Sequence, residues 1–184
     1  MIDPIDWLNW WRAGFAADIH ESWQTLPWFE LTQKDRARLY QDSPSTVRAL
    51  CNIPSSKVPE PDARTLRFID LSPVREKAMF RLLSSLCNNQ YSHLSPSDQD
   101  WCERMIKGIR PDRFLPQGID YREPAYLLSL VQNMFLSQTW SRLRLRFDET
   151  NIVDAEAYGL TFTAVSLNRA RALFDAALWR MEKR

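Results

Sequence analysis

Glycine is nearly missing from this chain, with 4 in 184 residues, where average usage of about 7% would supply roughly 13. So few glycines disfavour folds built on many tight hairpins, whose turns need positive φ. They also leave little material for a Gly-rich phosphate loop. An excess of one charge is absent too: 24 Lys and Arg face 23 Asp and Glu, for a net charge of +1. That excludes the lopsided balance of a strongly basic nucleic-acid binder. Long apolar runs are lacking as well. The longest apolar-leaning piece, Tyr126 to Leu136, is cut by Ser129, Gln132 and Asn133, so no transmembrane span is expected. The first residues carry Asp3 and Asp6 and no basic run, unlike a secretory signal peptide. The three cysteines, Cys51, Cys87 and Cys102, are odd in number and scattered, a poor disulfide framework. They read as small apolar residues in helices, which suits a reducing compartment. These features together predict a cytoplasmic protein.

What is present is the composition of an ordinary globular protein, 45% hydrophobic and 26% charged. A chain of this length fits one domain and buries about 70% of its unfolded surface without help from a metal or disulfide. Proline placement is the strongest local signal. Ser43-Pro44, Ser72-Pro73 and Ser95-Pro96 each put an N-cap before a residue suited to the first helical position. Asp98 stands where it can complete a capping box with Ser95. Glu123-Pro124 and Asp3-Pro4 are weaker forms of the same start. Apolar stripes at three and four spacing follow: Val74, Ala78, Leu82 and Leu86 beside Met79, Leu83 and Cys87; Trp101, Cys102, Met105, Ile106 and Ile109; Leu127, Leu130, Val131, Met134 and Phe135; and Leu167, Ala170, Phe174, Ala177, Leu178 and Met181.

The expectation is an all-α, single-domain, multi-helix globule over residues 1–184. A Pro-rich surface loop over 54–62 separates an N-terminal subregion, 1–53, from a helical body, 72–184. Thr65 to Leu71 reads as extended or irregular. The alternation Leu143-Arg144-Leu145-Arg146-Phe147 is strand-like, but the preferred reading makes it the end of the helix begun at Pro124, with Asp148 to Asn151 as the stop.

Sites for chemistry are hard to assemble. Cys87, His93 and Cys102 are spaced C-x5-H-x8-C, which matches no zinc pattern, so no metal and no cofactor is expected. His20-Glu21-Ser22 offers the residue types of a triad, but neighbours on one strand or helix do not face each other. The carboxylate pairs Asp98 with Asp100 and Asp148 with Glu149 read as solvated, the first in a helix's opening turn, the second in a loop. Arginine outnumbers lysine 19 to 5. Arg142, Arg144 and Arg146 form one basic run after Trp140, and Arg104, Lys107, Arg110 and Arg113 another. Guanidinium groups pair with carboxylates and stack on rings. Without an overall positive charge, these runs point to salt bridges or a protein partner and not to nucleic acid.

Tryptophan is the anomaly. Five of eight fall in the first 28 residues: Trp7, Trp10, Trp11, Trp23 and Trp28. The first 30 residues hold five acids and one cation, Arg12, so they carry −4 and the remainder +5. If Pro4 opens a helix, Trp7, Leu8, Trp11 and Phe15 share a face. Either the helix docks on the basic body with its rings buried, or some rings stay exposed as partner anchors, a role in which Trp and Arg dominate. A membrane-surface helix would want a basic polar face, and this one is acidic.

The stretches Leu127-Leu128-Ser129-Leu130 and Trp140-Ser141-Arg142-Leu143-Arg144-Leu145-Arg146-Phe147 resemble the cytoplasmic K-component of bacterial type III secretion systems, the sorting-platform adaptors called SctK, OrgA, MxiK or PscK. His20-Glu21-Ser22-Trp23 is similar to an early His-Pro-Ser-Trp-like stretch of that family, with Glu21 in place of the proline. The resemblance implies a soluble, mostly helical, non-catalytic adaptor in the bacterial cytoplasm. It would bridge the cytoplasmic domain of an inner-membrane ring protein and the pod protein below it, and touch the membrane only through those partners. The candidate contact residues are Trp7, Trp10, Trp11, Trp140, Arg142, Arg144 and Arg146. The rival readings are a secretion chaperone or regulatory binder, which would be more acidic, and a small helical enzyme, which would need a deep polar pocket around His20 or His93.

Overall fold

The computed structural model describes residues Pro4 to Glu182. The chain is all α-helical: the described residues form ten α-helices joined by short 3-10 turns and loops, with no strand among them. In chain order the helices are α1 (Pro4–Arg12), α2 (Gln33–Asp42), α3 (Pro44–Leu50), α4 (Ala63–Ile69), α5 (Pro73–Asn88), α6 (Pro96–Ile109), α7 (Pro124–Gln132), α8 (Ser137–Leu143), α9 (Glu149–Tyr158) and α10 (Ala164–Glu182). Proline stands at the first helical position of α3, α5, α6 and α7, as expected. The hydroxyls of Ser72 and Ser95 accept the amides of Arg75 and Asp98. Ser43 pairs its hydroxyl with Thr46 instead, at 2.7 Å. The proposed cap at Asp3 lies outside the described residues. Residues 53–62 form the expected loop without regular structure.

Three local expectations are corrected. Residues 65–69 are helical within α4, because the Asp62 side chain accepts both the Arg64 amide and the Thr65 hydroxyl, an N-cap that starts a helix directly after Pro61. The helix from Pro124 does not run on to Phe147. It ends at Gln132, where the Asn133 side-chain amide donates to the carbonyls of Ser129 and Leu160, and α8 starts afresh at Ser137. Asp148 and Glu149 do not lie in a loop: Asp148 caps α9 by accepting the Thr150 and Asn151 amides.

The chain divides into two compact units. The first comprises the residues up to Leu66 together with Leu136–Val153; the second comprises Arg67–Phe135 and the residues from Asp154 onward. The first unit therefore takes a piece from deep within the expected helical body. Its buried side chains include Trp7, Trp11, Phe15, Trp23, Trp28, Val47, Leu143 and Leu145. The second unit is built around the pair α5 and α10. Met79, Leu82, Leu83 and Leu86 from one helix and Leu173, Phe174, Ala177 and Leu178 from the other are buried. Phe68, Phe135 and Phe174 pack ring to ring, with centroids 5.6–5.9 Å apart. Most residues of the apolar stripes read from sequence are buried in this core; Ala78, Cys87, Met105, Ile106, Ile109 and Leu167 are half-buried, and Val74, in the first turn of α5, is 79% exposed.

Candidate functional site

The residues proposed for partner contact divide sharply. Trp7, Trp11, Trp140 and Arg142 are buried and present no surface to a partner in this fold. Trp10, Arg144 and Arg146 are half-buried. The reason is local geometry. In α1 the indoles of Trp7 and Trp11 point inward, with ring centroids 5.5 Å apart. Trp10 stacks on Trp7 at 5.5 Å with an interplanar angle of 24°. Trp7 also donates from Nε1 to the Pro59 carbonyl, so the Pro-rich loop is tied to α1.

Arg142 is 0% exposed. Its Nε donates to the Trp11 carbonyl at 3.1 Å and one terminal nitrogen to the Gln138 carbonyl at 2.8 Å. The Trp11 carbonyl is among the last four of α1, which have no partner within the helix. The guanidinium thus caps the negative end of α1, lies 3.7 Å from the Trp11 ring centroid and also faces Phe15. Burial, and then the like charge of Arg48, lower its pKa to about 10. A guanidinium held in this way is part of the core, not a surface anchor.

Two of the three stretches that carry the resemblance, residues 20–23 and 140–147, meet in the first unit, and Leu127 to Leu130 belongs to the second. The His20 amide donates to the Leu145 carbonyl at 2.8 Å. Trp23 Nε1 donates to the Phe147 carbonyl at 2.9 Å, and the Ser22 hydroxyl accepts the Glu149 amide at 2.8 Å. Arg144 lies over the Trp23 ring, and Trp140 stacks on Phe147. The expectation that His20 and Ser22 do not face each other is corrected: His20 caps a 3-10 turn, which brings its Nδ1 to 2.8 Å from the Ser22 hydroxyl. That hydroxyl also receives the first amide of α9, so its role here is to fasten a loop to a helix start.

His93 is exposed and lines a hollow of about 390 Å³ in the second unit with Arg81, Ser95 and Asp98. The Ser85 hydroxyl approaches His93 Nε2 to 3.3 Å. It is buried, and its proton goes to the Arg81 carbonyl at 2.7 Å, so it is not held as a nucleophile. Asp98 is not solvated as expected. It is 5% exposed, accepts the Ser95 hydroxyl at 2.8 Å and pairs with Arg180 at 3.3 Å. Asp100 is exposed. Cys51 and Cys102 are buried thiols whose pKa burial pushes up to about 12. Among the described residues no group of three or more His, Cys, Asp or Glu is placed to hold a metal, and no helix is long and apolar enough to cross a membrane.

Sequence reasoning missed two features. Trp179 on α10 is 46% exposed, the most open of the eight tryptophans, and it stands alone in the sequence, away from the N-terminal cluster. The hollows of the second unit are made by segments that carry no shared motif. No family model, no curated protein and no solved structure matches the chain.

Proposed function

We propose that this chain is a non-catalytic adaptor of a bacterial type III secretion sorting platform. In this role it acts in the cytoplasm by binding the cytoplasmic domain of the inner-membrane ring protein and the pod protein. The observation that carries the reading is the meeting of residues 20–23 with residues 140–149 through three hydrogen bonds. Two of the three stretches that resemble the adaptor family, residues 20–23 and 140–147, meet in the first unit, which supports the reading; the third, residues 127–130, lies in the second unit. The Arg-rich surface and the exposed Trp179 supply the side-chain types that dominate protein contacts.

The surface residues left to serve as contacts are Trp10, Arg144, Arg146 and Trp179. The test is co-purification from secreting cells of the host with the tagged full chain, followed by Trp10→Ala, Trp179→Ala and a paired Arg144→Glu and Arg146→Glu variant. Recovery of the pod protein and the ring domain by the wild-type chain, reduced by at least one variant whose helical circular dichroism is unchanged, is the expected result. Failure of the wild-type chain to recover either partner, or turnover of a metabolite by the purified protein, would remove the reading.

A further inference from the structure

The basic run Arg104, Lys107, Arg110 and Arg113 was set apart in the sequence and plays no part in the proposed function above. In the second unit its last residue, Arg113, lines one of two adjoining hollows of about 310 Å³ each, and Pro111, next to Arg110, lines the other. The hollows share Asp112, Leu115, Pro116 and Gln117 as a common wall. The first hollow has a mixed wall, with Leu86, Ile106 and Ile119 beside Asn88, Asn89 and Gln117. The second adds Phe114 and Phe162. A volume near 300 Å³ is at the lower end of ligand pockets and takes one or two apolar side chains.

Three features make this face more than a dent. First, it is rigid. Asn89, Arg110 and Gly118 lie on it or directly beside it and have left-handed backbone, φ 53°, 55° and 77°, and Pro111 and Pro116 fix the segment between. Asn89 and Arg110 are the left-handed caps that end α5 and α6. Second, Arg110 and Arg113 are exposed and form no ion pair with another described residue, whereas Arg122 nearby is held by Asp120 at 2.6 Å. Third, residues 101–119 hold four cations against two acids, Glu103 and Asp112. Lys107 reaches Glu103 only at 4.0 Å. An acidic peptide with an apolar anchor matches the exposed Arg110 and Arg113 and the apolar parts of the walls, Leu86 and Ile119 in one hollow and Phe114 and Phe162 in the other.

We propose that this face receives an acidic segment of a partner protein. One or two apolar side chains of the segment fill the hollows, and flanking carboxylates engage the forked donors of Arg110 and Arg113. This rests on the chain being a protein-binding module and names the chemistry of one partner.

The test uses random dodecapeptides displayed on phage, selected on the full chain and counter-selected on an Arg110→Glu and Arg113→Glu variant. The strongest peptide is then measured by fluorescence anisotropy. Enrichment of sequences with an apolar residue flanked by Asp or Glu is expected. Binding should weaken about tenfold or more in the double variant. A similar loss is expected in Ile119→Trp, which fills the first hollow and leaves the charge intact, with thermal melts confirming that both variants fold. Enrichment of peptides without acids, or affinity untouched by Ile119→Trp, would overturn the proposal. So would self-association of the wild-type chain that the double variant abolishes, since that assigns the face to a second copy. If peptides fail while the pod protein and ring domain still co-purify, this inference falls and the adaptor reading stands. If peptides bind as expected and those partners do not, the adaptor identity falls instead.

Discussion

Arg142→Ala is the most informative substitution in the first unit. The change removes two charge-assisted hydrogen bonds, to the Trp11 and Gln138 carbonyls, each worth about 1.5–3 kcal/mol net. It removes a cation stacked 3.7 Å from an indole centroid and leaves a void beside Trp11 and Phe15. Against this stands relief of the charge's own desolvation. A guanidinium lowered from 12.5 to about 10 carries a penalty of about 3 kcal/mol at neutral pH. Because the folded pKa lies below the unfolded one, that penalty is present in full below pH 10 and is relieved only as pH rises through that value. The net expectation is a loss of about 3–4 kcal/mol, since a void and a stranded helix-end carbonyl remain after the charge is gone. Arg142→Lys keeps a charge that is harder to desolvate and reaches fewer acceptors, so it should be no milder than Arg142→Met, which fills the space without a charge. The assay is urea unfolding followed by tryptophan emission. Six of the eight indoles belong to the first unit, so the signal reports on the part that is perturbed. A loss under about 1 kcal/mol for Arg142→Ala, or Arg142→Lys indistinguishable from wild type, would refute the claim that this guanidinium joins α8 to α1.

Ser95→Ala should destabilise by about 1–2 kcal/mol, because the hydroxyl both caps α6 and hydrogen-bonds Asp98; a thermal melt measures it, and no shift in Tm would contradict the cap. Tyr121→Phe should be neutral or slightly stabilising, since the buried Tyr121 hydroxyl has no hydrogen-bond partner among the described residues; a clear loss in the same melt would reveal a partner for it. A thiol reagent at pH 8 should leave Cys51 and Cys102 unmodified in the folded protein, where burial holds them protonated, and should modify them promptly in urea; rapid native labelling would show that the interior opens. Arg67 holds the Glu182 carboxyl below its ordinary range. The stabilisation from that pair is present at neutral pH and is lost as pH falls through the folded value. Acid melts of Glu182→Gln should therefore differ from wild type near pH 7, and the difference should shrink as the pH falls below the ordinary carboxylate range.

The sequence revealed what depends on neighbours along the chain. Ser72 and Ser95 before proline mark true helix starts because a cap needs only its own next turn. The stripe from Leu167 to Met181 marks a true helix because nineteen residues give the periodicity room. Asp62 was misread because three prolines nearby dominated the segment, although an Asp directly before Ala63-Arg64-Thr65 is itself a cap signal. The break at Asn133 was hidden because its side chain acts on Leu160, far along the chain. Arg142 reads as a surface residue in the sequence because burial of an arginine depends wholly on what folds over it, and the carbonyl it caps lies 131 positions away. The strand-like alternation at 143–147 did report an inside and an outside correctly: Leu143 and Leu145 are buried, and Arg144 and Arg146 are not. The hollows of the second unit left no trace except Gly118, one of only four glycines, held at positive φ.

The split make-up of the first unit has a consequence for how the protein is born. A ribosome delivers its first segment, with five tryptophans, well before residues 136–153 arrive to complete it. Until Arg142, Leu143 and Leu145 emerge, the carbonyl end of α1 lacks its cap and the indoles lack their cover. A nascent or truncated chain ending at Phe135 therefore displays greasy aromatic surface that the finished molecule hides. Such a fragment is a natural client for chaperones and a poor choice for recombinant work.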